Sequence, residues 1–266
     1  MNTIKKMIDL SGRCALITGA CGGLGKMMAY TLAELGADLI LIDRKDSDLN
    51  DLKTKLTDQW NVKVDCKTCD LEKQLQRDEL ISYLKKNIQT LNILINNAAF
   101  VGTSDLKGWA VSFEHQTLET WHRALEVNLT ASFHLCHGLL PLLKSAEGAN
   151  IINIASIYGL YGPDWNLYED TDMGNPVAYS VSKGGLIQLT RWLALTIAPD
   201  VRVNCISPGG IFRNQPEEFV KKYNSKTPLG RMAIEDDLKG AVLFLATDLS
   251  KYITGQNIIV DGGWGV

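Results

Sequence analysis

Short apolar segments alternate with amphipathic helical segments along almost the whole chain. The apolar segments are nearly continuous runs, which indicates strands that are covered on both faces of a sheet. The alternation therefore predicts an α/β fold with a doubly wound parallel sheet of about seven strands, flanked by helices on both faces. The predicted strands cover residues 14–17, 39–42, 62–66, 93–95, 151–154, 201–206 and 257–260, and the predicted helices residues 24–35, 47–59, 72–87, 118–143, 178–197 and 234–246.

The length of 266 residues and a hydrophobic content of 45% allow one large core, so we expect a single domain. In a doubly wound sheet, ligands bind at the carboxyl ends of the strands. Functional residues should therefore follow the strands directly. Residues typical of binding sites stand at these positions: Gly19, Asp43, Asp70, Asn96, Ser156 and Pro208.

A glycine-rich turn, Thr18-Gly19-Ala20-Cys21-Gly22-Gly23-Leu24-Gly25, joins the first predicted strand to the first helix. A diphosphate needs close backbone N–H groups and the positive end of a helix dipole, and residues without Cβ let the main chain come near. The spacing differs from Gly-x-Gly-x-x-Gly, so the turn alone is weak support for a nucleotide site. Together with the helix and second strand that follow, it predicts a Rossmann-type dinucleotide-binding unit.

Asp43 ends the second strand, where an acidic side chain can accept hydrogen bonds from the adenosine ribose hydroxyls. A carboxylate there would repel a 2′-phosphate, which favours NAD over NADP. Arg44 follows directly and could pair with such a phosphate, so NADP stays open as the alternative.

The formal net charge of −3, without a long basic block, indicates neither a nucleic-acid nor a membrane-surface partner. The first ten residues lack the apolar core of a signal peptide, and no apolar run has membrane-spanning length. We expect a soluble cytoplasmic protein. Cys66 and Cys69 have redox-motif spacing but end a strand, so we expect ordinary reduced thiols and no metal site. His134 and His137 are expected to be packed or surface residues.

Tyr179 and Lys183 stand four residues apart at the start of a predicted helix and therefore on one face. A neighbouring cation favours the phenolate of a tyrosine, which can then take a proton from an alcohol as a hydride leaves its carbon. Ser156 could bind the same substrate oxygen. Asn128 could extend a proton path through water.

These residues together resemble the classical short-chain dehydrogenases/reductases over almost the whole chain. The matching segments are Thr18-Gly19-x-x-x-Gly23-Leu24-Gly25, Asp70-Leu71, Asn96-Asn97-Ala98-Ala99, Asn128, Ser156, Tyr179-x-x-x-Lys183 and Pro208-Gly209-Gly210-Ile211.

The resemblance implies a role for each matching residue. Tyr179 would be the general acid/base, and Lys183 would bind the nicotinamide ribose and lower the pKa of Tyr179. Ser156 would orient the substrate oxygen, and Asn128 would support a water relay. Asp70 would meet the adenine edge, Asn97 would brace the cofactor side of the sheet, and Ile211 would contact the nicotinamide amide. The expected cofactor contacts are Gly19, Cys21, Gly22, Gly23, Leu24, Gly25, Asp43, Arg44, Asp70, Leu71, Asn97, Ala98, Ala99, Tyr179, Lys183, Pro208, Gly209 and Ile211.

The sequence departs from the family pattern at three places. Ala99 replaces the usual glycine, which should be tolerated. Arg213 stands where the family often has threonine, and this offers a cation near the substrate entrance. The interval from Ser156 to Tyr179 is longer than usual. Residues 157–176 and 211–228 interrupt the alternation of strands and helices at the strand ends, so we predict that both segments are lids, with a short helix in the second. The alternative is that these segments are surface loops.

Arg213, Asn214 and Trp165 are the clues to the substrate, in addition to Ser156 and Tyr179. Arginine binds carboxylate or phosphate, and tryptophan stacks on sugars. We predict a polar hydroxylated substrate, such as a sugar derivative, and the segment after Pro208 resembles family members of bacterial surface-sugar or flagellin-sugar pathways. The alternative is that Arg213 forms a structural salt bridge and Trp165 packs within its loop.

The leading hypothesis is an NAD-dependent enzyme that interconverts a secondary alcohol and a ketone. A dehydratase or epimerase that retains its cofactor, and a non-catalytic NAD sensor or scaffold, are the alternatives. Apolar residues surround much of the helices at 118–143 and 178–197, more than one sheet face can bury. Family members usually pair these helices, and residues 258–264 resemble a second interface. A homotetramer is therefore predicted, with a homodimer as the alternative.

Overall fold

The computed structural model describes residues 3–44, 48–101 and 106–266. One sheet of seven strands, all paired in parallel, has the order β3-β2-β1-β4-β5-β6-β7. This is the doubly wound fold that the alternating sequence predicts. The strands are β1 (Cys14–Thr18), β2 (Asp38–Asp43), β3 (Val64–Thr68), β4 (Ile93–Asn96), β5 (Asn150–Ile154), β6 (Arg202–Pro208) and β7 (Asn257–Val260).

The helices connect the strands as the sequence predicts, with additional short ones. They are α1 (Ile4–Ile8), α2 (Gly23–Glu34), α3 (Leu49–Trp60), α4 (Gln74–Asn87), α5 (Leu118–Leu125), α6 (Ala131–Lys144), α7 (Val177–Thr196), α8 (Glu217–Lys226) and α9 (Lys239–Ala246). The predicted start of the second helix, Ser47, lies outside the described residues. Within the described part of the chain, no helix combines the length and apolar character needed to cross a membrane.

Successive residues of the central strands enter cores on opposite faces of the sheet. Ile17 belongs to the core under α2, α3 and α9, whereas Leu16 belongs to the core under α4, α6 and α7. Both side chains are fully buried. Because both faces of β1, β2 and β4 are covered, the middle residues of these strands are apolar and buried on both sides, whereas the edge strand β3 carries polar residues. All six cysteines are free thiols.

The predicted helix at 118–143 is interrupted. A π-helical segment, Glu126–Thr130, separates α5 from α6. Such wide turns insert a residue into a helix and are frequent at functional sites. Hydrophobic periodicity cannot indicate this interruption, because apolar residues continue through it. The predicted helix at 234–246 also differs, since it begins as a 3₁₀ turn, Glu235–Leu238, before α9.

The strand order reverses between β1 and β4. The chain builds β1, β2 and β3 outward in one direction, then returns to place β4 on the other side of β1. The chain segments that follow β1 and β4 therefore leave the sheet in opposite directions, and a crevice opens between them at the carboxyl ends of these two strands. The segments after β1 and β4, Gly19–Gly22 and Asn97–Val101 in the sequence, border this crevice.

Candidate active site

The glycine turn after β1 places backbone where side chains could not fit. Gly19 has φ +64°, and a Cβ there would lie 2.9 Å from the Cα of Ala98. A Cβ on Gly25 would collide with the carbonyl oxygen of Gly19. Gly22 is the N-cap of α2, so the turn delivers the positive end of this helix to the crevice. This cradle fits a diphosphate.

Thr18 and Asn97 fasten the end of β4 to the turn. The hydroxyl of Thr18 accepts hydrogen bonds from the N–H groups of Asn97 and Ala98, at 3.0 and 3.1 Å. The amide of Asn97 donates to the carbonyl oxygens of Thr18 and Gly19, at 2.9 and 3.1 Å. Asn97 thus holds the glycine turn in shape from the neighbouring strand.

Asp43 contacts the same turn from the end of β2. Its carboxylate accepts from the N–H of Cys21 at 2.7 Å and from the N–H of Arg44 at 2.8 Å. Each carboxylate oxygen has more than one acceptor position, so a carboxylate can accept from several donors at once. The position and chemistry of Asp43 fit the ribose of a dinucleotide.

A cleft of about 1150 Å³ runs from the glycine turn to Tyr179. It brings together most of the residues that the sequence predicts as site residues. Those that line it are Gly19, Cys21, Gly22, Gly23, Leu24, Gly25, Asp43, Arg44, Asp70, Leu71, Asn97, Ala98, Ala99, Ser156, Tyr179, Lys183, Pro208, Gly209, Ile211 and Arg213.

Tyr179 and Ser156 form a hydroxyl pair at the inner end of the cleft. Burial raises the pKa of Tyr179, while a hydrogen bond with the Ser156 side chain and the charge of Arg213 act in the opposite direction. The two hydroxyls come from α7 and from the end of β5, which the sheet places side by side. One substrate oxygen could contact both groups.

Lys183 follows Tyr179 by one helical turn and is 2% exposed. Its ammonium donates to the carbonyl oxygen of Ile154 at 2.7 Å and lies 5.8 Å from the centre of the Tyr179 ring. Burial lowers the pKa of Lys183 to about 8. The role of Lys183 in lowering the pKa of Tyr179 stays a prediction, and the charge of Arg213 acts in that same direction.

Asn128 lies in the π-helical segment, behind the cleft. Its side chain accepts from the N–H of Phe100 at 2.6 Å and donates to the Ser182 hydroxyl at 2.9 Å. Ser182 in turn donates to the carbonyl oxygen of Tyr179 at 2.7 Å. Asn128 thereby connects the segment after β4 to the helix that carries Tyr179.

Sequence reasoning missed an aromatic wall at the substrate end of the cleft. It consists of Tyr158, Tyr168, Phe219 and Tyr223, all of which line the cleft. The hydroxyls of Tyr158 and Tyr168 lie 2.6 Å apart, and burial raises the pKa of both. These residues come from both predicted lid segments, and the high aromatic content of the two segments was the one sequence signal that could have indicated the wall.

Contacts between the two lid segments hold this wall together. Lys226 forms an ion pair with Asp164 at 2.7 Å, and this partner lowers the pKa of the Asp164 carboxyl. The Tyr168 and Phe219 rings pack with centroids 5.5 Å apart. The buried Trp264 ring stacks on Tyr223 from behind, at 6.1 Å.

Two predicted substrate residues lie outside the cleft lining. Trp165 is 58% exposed and packs on the far side of Tyr168, with ring centroids 5.9 Å apart. Asn214 is exposed and has φ +57°, so it serves the left-handed position of a turn. Its neighbour Gln215 lines the cleft instead. Substrate contact by Trp165 and Asn214 stays a prediction.

Arg213 lines the cleft and forms an ion pair with Glu235, with Nη2 and Oε1 3.2 Å apart. The alternative of a salt bridge at this residue is thus present in the structure. Both side chains remain partly exposed, 52% for Arg213 and 32% for Glu235.

Comparison with known proteins agrees with this geometry. Residues 19–265 match the family model described as enoyl-(acyl carrier protein) reductase. The chain is 29% identical to the post-translational flagellin modification protein A of Campylobacter coli, over 97% of this chain and 100% of that protein.

Two solved structures share the fold over nearly their whole length. A short-chain dehydrogenase from Leptospira borgpetersenii with bound NAD+ is 31% identical, with a TM-score of 0.84 and coverage of 100% and 97%. The NADPH-dependent 3-quinuclidinone reductase from Rhodotorula rubra is 27% identical, with a TM-score of 0.86 and coverage of 100% and 96%. The matched fold, glycine turn and Tyr-x-x-x-Lys pair lead to one conclusion: the chain belongs to the short-chain dehydrogenase/reductase family of NAD(P)-dependent oxidoreductases.

Proposed function

We propose that the protein interconverts a secondary alcohol and a ketone by hydride transfer with NAD(H), with Tyr179 as general acid/base. The observation that carries this proposal is that the Tyr179 and Ser156 side chains line one end of a cleft whose other end is a glycine cradle. A bound nicotinamide would supply the hydride acceptor for oxidation, or the donor for reduction.

The chain's own residues would handle the proton. In oxidation, the Tyr179 phenolate takes the proton of the substrate hydroxyl, and in reduction the Tyr179 hydroxyl returns a proton to the oxygen. Ser156 holds the substrate oxygen through its hydroxyl. The Lys183 ammonium stands behind the Tyr179 ring, where it would bind the ribose, and Asn128 fixes the α7 backbone at Tyr179 through Ser182.

Asp43 supports NAD as the preferred cofactor, with NADP as the alternative. Its carboxylate faces the ribose position and is held there by the Cys21 N–H. A 2′-phosphate would meet this negative charge. The neighbouring Arg44 also lines the cleft, and the related structures include both an NAD+ complex and an NADPH-dependent enzyme.

The aromatic wall favours a substrate with a ring. Tyrosine and phenylalanine faces pack on the flat faces of rings, while the Tyr158 and Tyr168 hydroxyls can bond to polar substituents. A sugar derivative of bacterial surface-glycan biosynthesis satisfies both, in line with the related flagellin modification protein. A compact bicyclic ketone is the second candidate, favoured by the same wall and the related 3-quinuclidinone reductase.

Turnover across a substrate panel tests the proposal. NADH and NADPH formation would be followed with sugar phosphates, nucleotide sugars, polyols, hydroxy acids and bicyclic alcohols. Tyr179→Phe should lower kcat/KM by about 10²–10⁴-fold, the usual contribution of a general acid/base. Tyr252→Phe is the matched control, because the Tyr252 side chain is fully exposed. Tight NAD binding without turnover on any substrate would favour a retained-cofactor dehydratase or epimerase, or a sensor, and count against the proposal.

We further propose that segments 157–176 and 211–228 act as lids over the substrate end of the cleft.

We also propose that the protein is a homotetramer, with a homodimer as the alternative. An apolar face on α6 and α7 supports self-association. Phe133, Val181, Trp192 and Leu195 are between 44% and 87% exposed there. The chain should elute above monomer mass at micromolar concentration, and Trp192→Lys should reduce that mass. Elution of the unmodified chain as a monomer would contradict the oligomer. The predicted cytoplasmic location remains a prediction.

A further inference from the structure

Two short segments present Arg213 and Glu235 side by side. Ile211 and Ala233 form a parallel bridge, in which the Phe212 N–H donates to the Ala233 carbonyl at 2.8 Å. Arg213 and Glu235 each follow this bridge by two residues, so the backbone brings both side chains to the same place. Gln215 fixes the Arg213 end, since its side chain accepts from the Arg213 N–H at 2.6 Å.

The ion pair lies over the first residue of α2. A Cβ on Gly23 would be 3.1 Å from Nη2 of Arg213 and would collide with the Glu235 carboxylate. Gly23 opens the helix whose N-terminus forms part of the glycine cradle. The pair therefore sits beside the glycine cradle, while Arg213 is also close enough to Tyr179 for its charge to act against the rise in the pKa of Tyr179 that burial causes.

The charges of this pair act in opposite ways on an anion at the cradle. The N-terminus of α2 favours a negative charge, and the Glu235 carboxylate is the negative group now beside it. A second anion at the same place would be repelled by Glu235 and attracted by Arg213. Both side chains are partly exposed, so separating the pair costs little free energy.

We propose that Glu235 is an internal competitor for the diphosphate site and that Arg213 exchanges its Glu235 partner for the diphosphate of a bound dinucleotide. This inference rests on the proposed function, because it requires the cleft to bind NAD or NADP. It assigns Arg213 to the cofactor rather than to the substrate. Glu235 then sets the affinity for the dinucleotide without contacting the reacting atoms.

Calorimetric titration of the full chain with NAD, ADP-ribose and adenosine tests the exchange. Glu235→Gln should tighten binding of NAD and ADP-ribose roughly tenfold, and Arg213→Gln should weaken it by a similar factor, as expected for one charge-assisted contact at a partly exposed position. Adenosine has no phosphate, so its affinity should change less than about twofold in either variant.

Asp236→Asn is the matched control for the charge change, because Asp236 lies in the same 3₁₀ turn but pairs with Lys239 at 3.0 Å. It should leave NAD affinity unchanged. Thermal unfolding of each variant checks that the fold is retained. Unchanged or weaker NAD binding by Glu235→Gln overturns the inference while the proposed function stands. A higher substrate KM in Arg213→Gln with unchanged NAD affinity overturns it as well and returns Arg213 to the substrate. Failure of the unmodified chain to bind NAD or NADP overturns both proposals.

Discussion

The two halves of the cleft are held together by different forces. The cofactor half comprises the glycine turn, Asp43 and the segment after β4, and each hydrogen bond that joins them has a backbone atom as one partner. The substrate half comprises the aromatic wall with Trp264, and side chains from three distant parts of the chain make its contacts. The first half has almost no room for change in shape, whereas the second depends on which side chains fill it.

This difference explains how one fold can retain a cofactor and change its substrate. Backbone atoms at the ends of parallel strands are fixed by the sheet, so the cradle follows from the topology. The aromatic wall can change through side-chain substitution while the sheet stays the same. Substitutions in the cofactor half should therefore weaken NAD binding and lower turnover of every substrate. Substitutions in the substrate half should change KM by amounts that differ from one substrate to another.

Gly25→Ala should have the largest effect, because it tests the cofactor half at its tightest point. The new Cβ would collide with the Gly19 carbonyl and lie 2.7 Å from the Cα of Ala20. We expect NAD affinity to fall more than about a hundredfold, with about 1–3 kcal/mol lost from the free energy of unfolding. Gly240→Ala is the control, since nothing lies within 4 Å of its added Cβ. Normal NAD binding by Gly25→Ala would remove the distinction between the halves.

Lys183 lies where the two halves meet, and Lys183→Met should change how the free energy of unfolding of the protein depends on pH. Burial lowers the pKa of Lys183 from 10.5 to about 8, so between these pH values the unfolded chain holds a proton that the native state has released. The free energy of unfolding of the unmodified protein should therefore gain up to about 3 kcal/mol from this group as the pH rises through that window. Lys183→Met should lack this gain in urea unfolding at pH 7 and 10.5. Parallel pH profiles for the two proteins would show that Lys183 is not buried as described.

Tyr158→Phe tests the substrate half alone. It removes the hydrogen bond between Tyr158 and Tyr168 and should cost about 0.5–1.5 kcal/mol of stability. We expect substrate KM to rise while NAD affinity stays constant, as measured by steady-state kinetics and calorimetry. A matching loss of NAD affinity would mean that the halves are not independent. Tyr252→Phe again provides the exposed control.

Asp164→Asn should have the smallest effect, because it breaks one surface ion pair between the lid segments. Lys226 holds the pKa of Asp164 low, so the stabilisation is present above the ordinary carboxyl pKa and is lost as the pH falls through the native pKa. A double-mutant cycle with Lys226→Met should give less than about 1 kcal/mol at pH 7, and less at low pH. Asp51→Asn, which breaks a similar pair on α3, is the control. If the coupling free energy between Asp164 and Lys226 did not decline toward low pH, the ion pair could not be its source.

The cofactor half could be predicted from the sequence because its signals are local. Gly19 and Gly25 are required by backbone geometry, and Asp43 ends a strand that periodicity identifies. The parallel fold then brings these residues to one edge. The predicted strand at 62–66 was displaced by two residues from β3, Val64–Thr68, but this shift leaves the edge unchanged.

The substrate half could not be predicted because its contacts join residues far apart in the chain. Trp165 is a tryptophan, the residue type expected to stack on a sugar, yet its ring lies on the outer side of Tyr168. The same limit applies outside the cleft, where His134 has no acidic partner in its own helix but lies with its Nε2 3.2 Å from the carboxylate of Asp78 on α4. Such pairings depend on how loops and helices pack, which neither propensity nor spacing encodes.

The wide turn at Asn128 ties the position of one side chain to one extra residue in the chain. A π-helical turn holds about one residue more than an α-helical turn, so deleting one residue from Glu126–Thr130 and restoring a regular helix would leave the direction of α6 nearly unchanged. The leucines of α6 that fill the core would keep their places. The wide turn that lets Asn128 contact both Phe100 and Ser182 would be lost. A single deletion there should therefore lower activity much more than it lowers stability.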